Sequence, residues 1–207
     1  MLVTASPPAI SQLRGKVKTR LLLARHGETE WNRLGRWQGQ EDIPLNSRGR
    51  EQALALAARL RHENLAAVYS STLRRSIETA QEIASDHRIN VCRDERVREI
   101  NLGAWQGMLY KEIAARYPEL LRAWEEDPTQ VRPPAGESIA ELQARVLAAL
   151  REIALAYPGE TVCLIGHQLC NSVIRAHYRG ISLREALRIE PAHAVCESID
   201  LPHPLWG

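Results

Sequence analysis

The chain has 207 residues, 44% of them hydrophobic and 25% charged, enough to bury one large core and incompatible with a disordered chain or a disulfide-stapled miniprotein. Its net charge of +2 hides a bias, because Lys16, Lys18 and Lys111 are the only lysines among 27 basic residues and the other 24 are Arg. These arginines are scattered among 25 acidic residues with no run longer than Arg74-Arg75, so no nucleic-acid partner is expected and most of them read as compositional background.

Residues 1–19 contain Pro7 and Pro8 and lack an apolar leader, and they read as a flexible N-terminal extension. Nowhere does an apolar run approach the length of about 18 residues that a membrane span needs, so a cytoplasmic protein without membrane contact is expected. Arg20 to Arg25 reads as a buried strand, and Ser47 to Glu63 as a helix with Ala53, Leu56, Ala57 and Leu60 on one face. Next come a strand at Ala66 to Ser70, a helix at Leu73 to Asp86 and a weaker strand at Ile89 to Arg93. Residues Met108 to Gly136 break the rhythm with two short helical patterns split by Pro118, an insertion placed over one edge of the sheet, where it would act as a lid. Regular structure restarts at Ser138, whose spacing to Glu141 is that of a capping box, with a helix to Tyr157. A strand at Thr161 to Gly166, a helix at Leu169 to Tyr178 and a strand at Val195 to Leu201 complete the pattern. This alternation predicts an α/β fold for residues 20–207: a three-layer α/β/α sandwich with a mostly parallel central sheet. Cys92, Cys163, Cys170 and Cys196 form no C-x-x-C pair and read as reduced thiols.

In an open parallel sheet, ligands bind beyond the carboxyl ends of the strands. One strand leads into Arg25-His26-Gly27-Glu28-Thr29, another into Ser71-Thr72-Leu73-Arg74-Arg75, and a third into His167-Gln168. Two imidazoles and at least two guanidiniums, up to 142 positions apart, thus meet at one edge. A cationic pocket of planar donors suits a phosphoryl group, and like charge keeps an imidazole neutral and nucleophilic. A metal site is disfavoured because the arginines would repel a cation. Trp31, Trp37, Trp105 and Trp124 read as packing, Glu28 as charge balance, and His62, His87, His177, His193 and His203 as residues without a specific role.

The segment Arg25-His26-Gly27-Glu28-Thr29-Glu30-Trp31-Asn32 resembles the R-H-G-E-T-x-x-N signature of the histidine phosphatase superfamily, the phosphoglycerate-mutase-like proteins. Ser70-Ser71-Thr72-Leu73-Arg74-Arg75 with Thr79-Ala80, Arg98-Glu99 with Gly103, Trp105 and Gly107, Gly136-Glu137-Ser138, and Gly166-His167 are similar to further family motifs in the same order. The resemblance implies a phosphatase acting through a phosphohistidine on His26, with Glu99 as proton donor and Arg25, Arg75 and His167 holding the phosphoryl oxygens. It places Asn32 beside them, Gln38 and Gly39 where substrate arrives, and Glu137 and Ser138 at the pocket rim. Gln168 stands where many members carry Gly, and is kept as a substrate-binding candidate. No metal or other cofactor is implied; the partners are a small phosphorylated substrate and inorganic phosphate as product, and a homodimer is left open. Cofactor-dependent mutases carry a longer insertion than the 68 positions between Glu99 and His167, so hydrolysis is favoured over mutase activity. The rival reading is a catalytically silent module that binds phosphorylated ligands.

Overall fold

The computed structural model of the chain describes residues 17–189 and 192–203. Residues 1–16 of the expected extension lie outside the described residues, and its last two, Lys18 and Thr19, already belong to the first strand. Five strands, β1 (Lys18–Arg25), β2 (Leu65–Ser70), β3 (Val91–Arg93), β4 (Thr161–Gly166) and β5 (Cys196–Pro202), form one sheet in the order β3-β2-β4-β1-β5. The helices are α1 (Glu30–Arg33), α2 (Ser47–Leu60), α3 (Arg74–His87), α4 (Tyr110–Arg116), α5 (Pro118–Glu126), α6 (Ile139–Ala156), α7 (Gln168–Arg179) and α8 (Leu183–Leu187).

The two central strands show why the sheet is covered on both faces. Leu21, Leu22, Leu23 and Ala24 of β1 are all buried, an unbroken apolar run that only a doubly covered strand can hide. Leu21 and Leu23 pack with Val162 and Leu164 of β4 and with Leu142, Val146 and Leu150 of α6 and Val173 and Ile174 of α7. Leu22 and Ala24 point the other way, onto Cys163, Ile165, Leu56 and Leu60 of α2 and Ile83 of α3. The result is the expected three-layer α/β/α sandwich. Only β5 runs antiparallel, against β1, and its inward Ile199 and Leu201 alternate with outward polar residues as befits an edge strand with one wet face.

The insertion folds as α4 and α5, with Pro118 opening the second helix, where a missing N–H costs nothing. Trp124 of α5 stands edge-on to the fully buried Trp105, ring centroids 5.5 Å apart, and Trp37 meets Trp105 in the same way at 5.5 Å. The Ser138 and Glu141 capping box forms at the start of α6. No helix among the described residues is long and apolar enough to cross a membrane.

Candidate active site

Strands β1 and β4 lie side by side and parallel, so their carboxyl ends deliver His26 and His167 to one point, with ring centroids 5.1 Å apart. The His26 N–H donates to the Gly166 carbonyl at 3.2 Å, which extends the β1–β4 ladder into the site. Gly27 and Gly49 make this corner tight: a Cβ on Gly27 would lie 2.3 Å from the Gly49 oxygen, so the loop after β1 sits directly on the start of α2.

The hydrogen bonds fix the protons. His26 Nδ1 lies 2.7 Å from the Gly27 carbonyl, which can only accept, so Nδ1 carries the proton and Nε2 keeps its lone pair. Arg75 Nε–H donates to that Nε2 at 3.2 Å. His167 Nε2 is 2.8 Å from Ser71 Oγ, which already accepts from the Leu73 N–H. We assign the Ser71 hydroxyl as donor to His167 Nε2, the tautomer that gives its proton an acceptor, and the ring's own proton then lies on Nδ1, a buried atom with no partner among the described residues. An unpaired buried donor of this kind costs about 1–3 kcal/mol, a deficit that an anionic acceptor removes.

Arg75, 1% exposed, is held by its fork: Nη1 donates to the Glu41 carbonyl at 2.6 Å and Nη2 to the Gly39 carbonyl at 2.7 Å. Gly39 has φ +53°, where a side chain would be strained and its Cβ would strike Gln106 at 2.4 Å. Burial pushes the Arg75 guanidinium down to about 10, with Glu99 and Asp42 opposing, so it remains a cation at neutrality. Burial, and then the positive charge of Arg75, hold both imidazoles well below the ordinary histidine value of 6.5, so each is neutral at pH 7.

These neutral imidazoles make stability pH-dependent. Unfolded histidines take up protons around 6.5, whereas His26 and His167 do so only well below that in the folded chain. Acidification therefore protonates the unfolded chain first and lowers stability, before the depressed carboxyls of Asp94 and Glu141 come into play. Urea unfolding is expected to show stability falling from about pH 7 to about pH 5, with a smaller fall in the His26→Asn variant. A flat profile in the wild type would contradict two buried neutral imidazoles.

Glu99, 8% exposed, aims its carboxylate at the first turn of α7, where Leu169 N–H (3.1 Å) and Cys170 N–H (3.2 Å) donate to it, with Ile100 N–H at 2.9 Å. Free N–H groups at a helix start are natural partners of an anion. A cavity of about 480 Å³ opens in front, lined by Arg25, His26, Asn32, Gln38, Gly39, Arg75, Glu99 and Gln168, and His167 lies behind it against His26. Asn32 Oδ1 accepts from the Thr29 N–H at 3.1 Å and Gln38 Oε1 lies 2.9 Å from Thr29 Oγ, so the end of each amide left for the cavity is its NH₂ donor.

Two candidates are elsewhere. Glu137 does not line the cavity; it pairs bidentately with Arg145 at 2.6 and 2.8 Å and accepts from the Asn101 N–H. Ser138 is occupied as the cap of α6. The carboxylate and hydroxyl are thus bonded within the scaffold, where the resemblance implied a place at the rim. Three features were not expected. His193, read as having no role, donates from Nδ1 to the His26 carbonyl at 2.9 Å and packs its ring 5.6 Å from His26. Leu187 and Arg188, at the end of α8, line the cavity with Trp124, Glu125 and Pro128 from the insertion; a second S-x-x-E spacing, Ser182 to Glu185, was the sequence signal for α8. Trp37 and Trp124 pack as expected but also wall the cavity. No group of His, Cys, Asp or Glu among the described residues is arranged to hold a metal ion.

Comparison with known proteins agrees with this geometry. The family model of the histidine phosphatase superfamily (branch 1) matches residues 21–204. Phosphoserine phosphatase 1 of Hydrogenobacter thermophilus is 39% identical over 164 residues, covering 79% of this chain and 78% of that protein. A protein of Arabidopsis thaliana named metal-independent phosphoserine phosphatase is 39% identical over 167 residues, 79% of this chain and 69% of its own length. Among solved structures, mycobacterial glucosyl-3-phosphoglycerate phosphatase superposes with a TM-score of 0.78 at 31% identity, over 88% of this chain and 90% of that one. The neutral His26 and His167 at the ends of paired strands therefore sit in a chain that belongs to branch 1 of the histidine phosphatase superfamily and is a phosphatase of that type.

Proposed function

We propose that the chain hydrolyses small phosphomonoesters without a metal ion, through a phosphohistidine on His26 with Glu99 as proton donor. The observation that carries this reading is the proton arrangement at the paired strand ends. His26 Nε2 is a lone pair in a dry cationic setting, beside a buried N–H of His167 that lacks an acceptor.

In the first step Glu99 starts as the carboxylic acid, the form in which the second step leaves it: His26 Nε2 bonds to phosphorus, the ester P–O bond breaks, and the Glu99 proton goes to the departing oxygen. In the second, Glu99 takes a proton from water, the water oxygen bonds to phosphorus, the P–N bond breaks and inorganic phosphate leaves. Charge in both transition states rests on the non-bridging oxygens, so the enzyme's task is to aim donors at them. Arg25, Arg75, His167 Nδ1–H and the Asn32 amide supply these donors, with Gln38, Gly39 and Gln168 along the wall. The Arg75 Nε–H rests on the His26 lone pair, and a phosphoryl oxygen takes over that bond as phosphorus approaches.

The leaving group lies against Trp37, Leu102, Trp124 and Leu187, with Arg36, Glu125 and Arg188 at the same cavity. Its volume of about 480 Å³ suits a small metabolite, and charges of both signs suit one that bears an amine and a carboxylate. The two relatives named phosphoserine phosphatases make phosphoserine the first ester to try. Purified protein is expected to release phosphate from phosphoserine at an undiminished rate with EDTA present. Activity restored only by added metal would overturn the reading, and 3-phosphoglycerate isomerised faster than it is hydrolysed would replace it with a mutase.

A further inference from the structure

Between β3 and α4 the chain makes two 3₁₀ turns, Glu95–Val97 and Gly103–Trp105, and Glu99 lies between them with no sheet ladder to hold it. The carbonyls of Arg96, Arg98 and Glu99 are satisfied from outside this segment. Arg145, on α6, donates from Nη1 to the carbonyls of Arg96 and Arg98, both at 2.7 Å, and from Nη2 to the carbonyl of Glu99 itself at 2.9 Å. Glu137 fixes the same guanidinium from the other side, and its own N–H donates to the Asn101 carbonyl at 2.8 Å. Gln40 Nε2 adds a second donor to the Glu99 carbonyl at 3.0 Å. With side chains 20% and 14% exposed, the Arg145–Glu137 pair is too dry and too fully bonded to be a solvated surface ion pair.

We propose that Arg145, locked by Glu137, is a positioning residue for the proton donor: it fixes the Glu99 backbone so that the carboxyl meets the leaving oxygen at hydrogen-bond distance. This rests on Glu99 being the donor. A planar fork that reaches three carbonyls and one carboxylate at once has no lysine equivalent. The inference makes Arg145 and Glu137 matter to the two proton transfers of Glu99, to the leaving group and from water, of which kcat/KM reads the first, and not to phosphoryl binding or to His26.

The test is how the loss depends on the leaving group. p-Nitrophenolate departs without a proton, whereas an alkoxide such as that of serine does not, and kcat/KM reports only the steps up to ester cleavage. Arg145→Met is expected to lose about 10²-fold in kcat/KM on phosphoserine and less than about threefold on p-nitrophenyl phosphate. Glu137→Gln is expected to show the same split at about tenfold on phosphoserine, and Arg145→Lys to recover little of it. A merely structural role would lower both esters together. Equal losses on the two esters, or no loss on either, would overturn the proposal, and Glu137→Gln decides it if Arg145→Met does not fold. Glu99→Gln separates the two claims: without a split in that variant the donor reading itself falls, and with it there but absent in Arg145→Met and Glu137→Gln only the positioning claim falls.

Discussion

Replacing His26 with Ala is expected to lower kcat/KM by at least about 10⁴-fold on every phosphate ester, good leaving groups included. The proposed nucleophile has no substitute among the described imidazoles beside it. His167 is the neighbouring imidazole, but its Nε2 is tied to Ser71 and its Nδ1 carries a proton, so it presents a donor and no lone pair to phosphorus. His193 faces the His26 backbone through its own Nδ1. The fold is expected to survive, because the β1–β4 ladder reaches this position through the backbone N–H of residue 26 and not through its ring. Steady-state assays with p-nitrophenyl phosphate and phosphoserine, alongside circular dichroism, check this. A folded His26→Ala protein with more than a few per cent of wild-type activity would contradict nucleophilic catalysis.

Arg75 comes next in expected effect. Arg75→Ala removes a cation hydrogen-bonded to His26 and, in the proposed mechanism, the donor that passes to a phosphoryl oxygen as phosphorus approaches. Loss of a preorganised donor to transition-state charge costs about 10²–10³-fold, and loss of a phosphoryl-binding arginine about 10³–10⁵-fold, so about 10³-fold or more is expected. Arg75→Lys keeps the charge and forfeits the fork to Gly39 and Glu41, and is expected to lie between, near 10²-fold. Affinity for inorganic phosphate should fall in the same order. Variants within about tenfold of wild type would show that the charge beside His26 is dispensable.

The order of these effects follows from what each residue does, and only part of it was readable in the sequence. The unbroken apolar run of β1 reveals a doubly covered strand, and the residues immediately after it are where ligands bind in such sheets. That β1 and β4 are direct neighbours is a matter of tertiary topology, and it is this adjacency that sets His26 and His167 with ring centroids 5.1 Å apart. Ser138 carried two readings, a helix cap from its spacing to Glu141 and, with Glu137, a pocket rim from the resemblance; the first turn of α6 claimed Ser138, and Arg145 claimed Glu137. Arg145 could not be told from the other arginines, because three of its acceptors are backbone carbonyls that come together only when the segment from Arg96 to Glu99 is folded against α6. His193 was missed for a similar reason: its partner is a main-chain oxygen 167 positions away.

The cavity shows the same division. Its inner end is built from signature residues at strand ends, while its outer wall draws on Trp37, on Trp124 and on the adjacent Leu187 and Arg188, from three separate stretches of chain. Loops and short helices on a fixed scaffold set specificity in this way, and the outer wall is accordingly where relatives acting on different esters are expected to differ.

Rapid acid-free quenching of the enzyme with ³²P-labelled phosphoserine tests the central claim most directly. The account predicts one label per chain, stable to alkali and released by acid, mapping to the peptide that contains His26 and absent from His26→Ala. Label on any other residue, or steady turnover by the wild type with no labelled enzyme at any time, would contradict it.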